Sequence, residues 1–401
     1  MTPSVPWTRL SALAIAIALT AACTSADTTE TSTADAAASE SATSDTDVAT
    51  TDATASSTVE VAADPVVAAD VAALPDETIT VGDETISITQ GGTYTLTGEG
   101  TGSVVVETDE DVVLVLDGVN IVSDSGAAIS VLSANNVFIT LAEGSENVLE
   151  DATTRTDTEI NGTIYSDADL SISGTGSLTV VANYEDGIVT KDDFVLASGT
   201  VVVTAADDGI RGRDSITVSG GSLTVTSGGD GLKTTYADDL EKGWVHITGG
   251  SIRVDSGDDA IKAQTSMTID GGTIEIVDSV EGLEALNITI NGGDITLYAS
   301  DDGINAAVGD IAGDVFINVN GGTIDVTVGS GDTDGFDSNG TLSITDGDIT
   351  VTAPTSSFDV DGTAEFTGGT VTVNGEQVTT LPQGMGGGGG GGGDRGGRPG
   401  G

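Results

Sequence analysis

Asp186-Gly187-Ile188, Asp208-Gly209-Ile210 and Asp230-Gly231-Leu232 repeat one acid–glycine–apolar triplet every 22 residues. Variants follow at Asp259-Ala260-Ile261, Glu281-Gly282-Leu283, Asp302-Gly303-Ile304 and Asp334-Gly335-Phe336. The series ends on Phe358, 22 residues after Phe336, where the acid and glycine have become Ser356-Ser357. Glycine pairs keep step at 220–221, 249–250, 271–272, 292–293, 321–322 and 368–369. They are flanked by alternating segments such as Met267-Thr268-Ile269 before and Ile274-Glu275-Ile276 after, the period of two that belongs to strands. Two spacings lengthen, to 29 and 32, marking insertions at 233–243 and around 306–315. A 22-residue unit of three short strands cannot close a core alone. Stacked, it makes an all-β solenoid, a single-stranded parallel β-helix whose turns hydrogen-bond to one another about 4.8 Å apart.

The alternation assigns faces. Ile216/Val218, Val245/Ile247, Met267/Ile269 and Ile288/Ile290 point inward, and Ile210, Leu232, Ile261, Leu283, Ile304 and Phe336 form a further inward column. Glycine pairs belong at corners, where positive φ is cheap. Val, Ile and Thr replace the aromatics, which are only 3% of the chain, and between residues 76 and 380 the one proline is Pro354, as a long run of ladders requires. Residues 78–180, with longer strands such as Asp111 to Leu116, read as the capping end of the stack.

The flanks differ from this middle. Arg9, the apolar run Leu10 to Leu19 and Thr20-Ala21-Ala22-Cys23 form a signal peptide over 1–22, too short to span a bilayer. It resembles a bacterial lipoprotein signal, with Cys23 acylated, although Thr20 stands where Leu is usual. Ordinary cleavage near Ala21-Ala22 is the other reading. Residues 23–75 are an acidic Ser/Thr/Ala linker and 381–401 a glycine-rich tail; both are expected to be disordered. The β-helix domain is therefore 76–380, and the chain is expected to be exported, held at the outer face of the membrane or cell surface by its lipid.

The chain of 401 residues carries a net charge of −53, which excludes nucleic acid and anionic membrane surfaces as partners beyond a lipid anchor. Cys23 is the single cysteine, so neither a disulfide nor a cysteine cluster can form. Stacking sets Asp208, Asp230, Asp259, Glu281, Asp302 and Asp334 in one column, doubled by Asp207, Asp258 and Asp301. Two charges about 5 Å apart repel by about 0.8 kcal/mol in water and about 3 kcal/mol at an effective dielectric near 20. Calcium would compensate them, since oxygen ligands at about 2.3–2.6 Å on either side of an ion span one rung. Asp332, Asp334, Asp337 and Asn339 make a further oxygen cluster. Against this stands the reading of each Asp-Gly as a solvated turn.

Three places after the acids runs a second column: Arg211, Lys233, Lys262, Glu284, Asn305 and Asp337. Its cations either neutralise the acid ladder or form a rail for sugar carboxylates. Trp244, aligned with Ser215 and Ser266, faces outward beside an insertion that holds Tyr236; the two either stack on a sugar ring or cover the insertion. His246 is the only histidine and has no Ser or Cys partner by pattern, which excludes a catalytic triad.

Several segments carry a family resemblance: Val112-Val113-Leu114-Val115-Leu116-Asp117-Gly118-Val119, Glu146-Asn147-Val148-Leu149, Tyr184-Glu185-Asp186-Gly187-Ile188, Ser256-Gly257-Asp258-Asp259-Ala260-Ile261-Lys262-Ala263, Ser300-Asp301-Asp302-Gly303-Ile304-Asn305-Ala306 and Asp334-Gly335-Phe336-Asp337-Ser338-Asn339-Gly340. Over residues 78–375 the chain resembles the calcium- and carbohydrate-binding right-handed parallel β-helix proteins of the clostridial cellulose- and polygalacturonate-binding type. The resemblance implies a fold similar to pectate lyases, bound calcium, and binding of plant-type or acidic polysaccharide without established catalysis. Gly229, Val280 and Thr333 stand where a second acid would precede Asp230, Glu281 and Asp334. The expected protein is a monomeric, non-catalytic, calcium-dependent polysaccharide binder. Its rivals are a calcium-dependent lyase using Lys233 or Lys262 as base, and a structural adhesin stiffened by calcium.

Overall fold

The computed structural model describes residues 76–309, 311–331 and 333–382. Cys23, the linker, the glycine-rich tail beyond residue 382 and Asp332 lie outside them. The described residues are all-β, with 36 strands and no helix, arranged as a sheet of 24 strands and a sheet of 12. Strands pair in parallel, and only the closing pair is antiparallel. The result is a solenoid-like stack.

Each unit gives one strand to the smaller sheet and two to the larger, as Ile210–Gly212, Ser215–Val218 and Ser222–Ser227 do. These lie against Leu232–Thr234, Trp244–Ile247 and Ser251–Ser256 of the next unit. The first pair is offset by 22 residues and the other two by 29. The insertion between Thr234 and Trp244 therefore stays in its turn and leaves the pairing intact. The one between Ala306 and Phe316 behaves the same way.

Alternation along the strands sends Ile216, Val218, Val245, Ile247, Met267, Ile269, Ile288 and Ile290 inside, none more than 1% exposed. The residue after each acid–glycine pair forms a second buried column from Ile188 through Ile210, Leu232, Ile261, Leu283 and Ile304 to Phe336. Phe358 extends it, its ring stacked 5.2 Å from that of Phe336. Each such burial contributes about 1.5–3 kcal/mol, so repeated aliphatic columns replace the aromatic core this composition lacks.

Two kinds of glycine hold the corners. Gly221, the second of its pair, has φ +81°, a conformation that side chains avoid. The glycine of the Asp-Gly pairs is there for room instead. A Cβ on Gly209 would stand 2.3 Å from Val225 Cγ1 and 2.6 Å from the Gly231 carbonyl oxygen.

The ends depart from the repeat. Toward the N-terminus, Gly92–Gly100 and Val112–Val122 are longer strands whose register slips between Leu96 and Gly98. At the far end, Thr370–Val373 turns back through Asn374 (φ +50°) and Gly375 (φ +84°) into Glu376–Val378, which covers the final edge.

Candidate cation and carbohydrate site

The repeat acids line one edge of the smaller sheet and are not solvated turn residues. Asp186, Asp208, Asp230 and Asp259 are 0–4% exposed, and Glu281, Asp302 and Asp334 are half-buried. Five of these aspartates accept a hydrogen bond from the backbone of the rung after them. Asp208 N donates to Asp186 Oδ1 (3.1 Å), Asp230 N to Asp208 Oδ1 (2.9 Å) and Asp259 N to Asp230 Oδ1 (3.0 Å). Glu281 N donates to Asp259 Oδ1 (3.2 Å), and Asp334 N to Asp302 Oδ1 (2.7 Å). The relay breaks after Glu281, whose extra methylene carries its carboxylate past the next amide; its Oε2 accepts from Asn305 Nδ2 at 3.0 Å.

The doubling acids stand outside this column. Asp207, Asp258 and Asp301 are exposed, and of the three Asp258 brings an oxygen into one group with Asp230 and Asp259. A Cβ at Gly229 would lie 2.5 Å from Asp207 Oδ1 and 2.7 Å from Asp208 Oδ1, so a side chain there would displace both carboxylates. Asn339 is exposed on the turn beyond Ser338, away from the ladder.

Strand pairing aligns Val189, Arg211, Lys233, Lys262, Glu284, Asn305, Asp337 and Asp359 in the second column. Its charge reverses between Lys262 and Glu284. Before that point the cations pair with the acid ladder. Arg211 Nη2 is 2.8 Å from Asp186 Oδ2, and Lys233 Nζ is 2.5 Å from Asp230 Oδ2 and 3.5 Å from Asp208 Oδ2. Lys262 Nζ is 2.7 Å from Asp259 Oδ2 and also pairs with Glu284. Beyond it, Glu281, Asp302 and Asp337 have no Lys or Arg partner among the described residues.

Burial raises the carboxyls of the ladder with or without a cation beside them, since Asp186, paired with Arg211, is also raised to about 7. Burial, then the nearby Glu284 and Asp259, pushes Glu281 up to about 8. Burial raises Asp302 to about 7 despite its bond from the Asp334 amide, and raises Asp337 to about 7 with help from Asp334 and Asp359. Asp230 is buried too, but Lys233 opposes the rise and holds it at about 6. Near neutral pH the uncompensated carboxyls must take up protons or a cation.

Asn305, 7% exposed, turns a buried Oδ1 into this region with no hydrogen-bond partner among the described residues. An orphaned acceptor of this kind costs about 1–3 kcal/mol. Carboxylate and amide oxygens, without thiol or imidazole, suit a hard cation such as calcium. Glu281 and Glu284, which with Asp259 each place an oxygen within 4.8 Å of the others, make with Asn305 a donor set that fits the ion expected from the sequence. That set includes Glu284 and Asn305, legible beforehand only as members of the second column.

The aromatic candidates lie elsewhere. The acids precede the smaller-sheet strands, whereas Tyr236 and Trp244 follow them, beyond Thr234. Trp244 pairs with Ser215 on the outer face and is half-buried. The Tyr236 ring lies 4.5 Å from the Arg213 guanidinium and 5.1 Å from the Lys242 ammonium, so Arg213 and the insertion's own Lys242 use it. His246 Nε2 lies 2.8 Å from Asp270 Oδ2 on the same outer face.

A family model described as carbohydrate-binding domain-containing protein matches residues 82–333. A protein of that description from Acetivibrio thermocellus is 39% identical over 135 residues, covering 32% of this chain and 47% of the relative, so the chain spans about half of that relative's length. A solved structure, described as the polysaccharide lyase-like protein from C. thermocellum in a gadolinium derivative, is 36% identical, with a TM-score of 0.49 over 50% of this chain and 90% of that one. With more than half of its length matched, the chain belongs to the family of carbohydrate-binding domain-containing proteins.

Proposed function

We propose that this protein is a non-catalytic, calcium-dependent binder of acidic polysaccharide, built on a right-handed parallel β-helix and held at the cell surface through an acylated Cys23. The right-handed preference of parallel crossover connections supports that hand. One observation carries the functional reading: the acid ladder loses its cations after Lys262, leaving half-buried Glu281, Asp302 and Asp337 raised in pKa beside the orphaned Asn305 oxygen. Calcium bound there would supply positive charge and coordination positions open to a uronate carboxylate. Asp259, Glu281 and Glu284 would hold the ion, and Asn305 would contribute its amide oxygen. Without it, a polyanion meets a domain with 53 acidic and eight basic residues and is repelled.

A lyase would need Lys233 or Lys262 to give up a proton readily. Burial lowers both pKa values, but Asp230 and Asp208 at Lys233, and Glu284 and Asp259 at Lys262, raise them overall. That is the wrong direction for a base working near neutral pH. The test is retention of polygalacturonate and of cellulose by the full chain, with calcium and with EDTA, while the absorbance of unsaturated products is followed in the same tubes. Polygalacturonate retained in calcium, released by EDTA and left uncleaved is the expected result. Retention indifferent to EDTA sinks the calcium-bridged reading, and product accumulation lost in Lys233→Ala or Lys262→Ala overturns the non-catalytic one.

A further inference from the structure

Both insertions end on an aromatic residue, and the two aromatics share one outward column of the larger sheet. Trp244 opens the strand after the first insertion, and Phe316 opens the strand after the second. Strand pairing runs the column through Trp244, Ser266, Asn287 and Phe316. The rings therefore stand three rungs apart, about 14 Å at the spacing of paired strands. The insertions meet beside this stretch. A Cβ on Gly313 of the second would lie 3.2 Å from Leu240 Cδ2 of the first and 2.8 Å from Leu286 Cδ2. Leu286 is the residue just before Asn287, so the joined insertions edge the strip between the two rings.

The strip carries no acid, in a domain with 53 acidic and eight basic residues. Its outward positions are Ser266 and Asn287 between the rings, with Thr268 and Thr289 beside them. The neighbouring strands of the same sheet instead expose Arg253, Glu275, Asp294 and Asp325. The strip's polar side chains are also unused: none of the four makes a hydrogen bond to a described residue. One column further on, Asn320 Nδ2 donates to Asn291 Oδ1 at 2.9 Å and Thr345 Oγ1 lies 3.0 Å from Asn320 Oδ1, so those groups satisfy one another. Neither the Trp244 nor the Phe316 ring stacks on a described ring or cation. A pyranose offers an apolar C–H face and a rim of hydroxyls. Flat rings suit the first, while free amides and hydroxyls suit the second. A polymer without charge is also the one that approaches so acidic a domain without repulsion.

We propose that the strip from Trp244 to Phe316 is a second glycan site, which takes an uncharged polysaccharide chain lying along the stack and needs no cation. It rests on the polysaccharide-binding reading but lies on a different face from the acid ladder. Affinity electrophoresis of the full chain through hydroxyethyl cellulose in EDTA, and through polygalacturonate in calcium, tests it. Wild type is expected to be retarded by the neutral polymer in EDTA. Trp244→Leu and Phe316→Leu, which keep apolar bulk and lose the flat ring, should each weaken that retardation by about tenfold. Thr268→Asp, which leaves both rings in place, should weaken it as well. All three should melt as wild type does and keep their retention on polygalacturonate, while Glu281→Gln/Glu284→Gln should keep the neutral polymer. Neutral polymer bound equally by wild type and the ring variants would overturn the proposal. Wild type that ignores the neutral polymer yet holds polygalacturonate would do the same and leave the calcium reading standing. Loss of both polymers in Trp244→Leu would mean a single shared surface, and a wild-type dimer that this variant turns monomeric would give the strip to a second copy of the chain; either result overturns a separate glycan site.

Discussion

Lys262 sits where the second column changes sign, held between Asp259 and Glu284 with its side chain 27% exposed. Truncating it strands two carboxylates that are mostly out of water, so Lys262→Ala should cost about 1–3 kcal/mol in EDTA. Millimolar calcium should restore most of that loss, because Asp259, Glu281 and Glu284 each offer an oxygen within 4.8 Å of the others. Thermal melts of the variant with EDTA and with calcium check this; a deficit that calcium leaves untouched would make the lysine stem's packing its main contribution. The order of these acids was legible in the sequence, because a spacing of 22 stacks like on like. Their burial was not. It depends on each aspartate reaching the amide of the following rung, as Asp208 reaches Asp230, and spacing alone does not show which way a carboxylate leans. Arg155 escaped notice for a similar reason: it lies in no repeat, yet its side chain is 1% exposed, paired with Asp151 and set 5.1 Å from the Tyr184 ring.

The elements repeat more faithfully than the residues do. The inward columns, the corner glycines and both insertions fall where the periodicity predicts, because a register slip of one residue would turn every buried Ile and Val to solvent. The closing hairpin went unread, although Asn374-Gly375 between alternating residues is a strong turn signal. It matters because the last parallel strand would otherwise present an open row of donors and acceptors. Gly375 has φ +84°, so Gly375→Val should destabilise the turn and free the edge of Thr370–Val373. Light scattering should then show concentration-dependent association of a chain whose core still melts cooperatively. A variant that stays monodisperse at all concentrations would mean that the edge is protected by charge rather than by the hairpin.

At the scale of the whole molecule, a chain of net charge −53 keeps a file of carboxyls inside a wall of strands. Burial raises Asp186, Asp302 and Asp337 to about 7 and Glu281 to about 8, against Arg211 at Asp186 and the Asp334 amide at Asp302, above the value near 4 expected in an unfolded chain. The folded state therefore retains protons that the unfolded state has already released. The stability contributed by the protonated groups is complete below about pH 4 and is lost as pH rises through about 7 to 8. In EDTA the melting temperature should consequently fall between pH 5 and pH 8.5, a window in which the exposed acids are already ionised and stay constant. Calcium binds the ionised form, so the stabilisation it adds should grow over the same window and be smallest at pH 5. Adding sodium chloride at high concentration separates the ladder from the surface, since salt screens exposed charge but barely reaches buried pairs. The EDTA slope should survive in salt. A melting temperature flat from pH 5 to 8.5 without calcium would mean that water reaches these carboxyls freely and that the ladder needs no ion to stand.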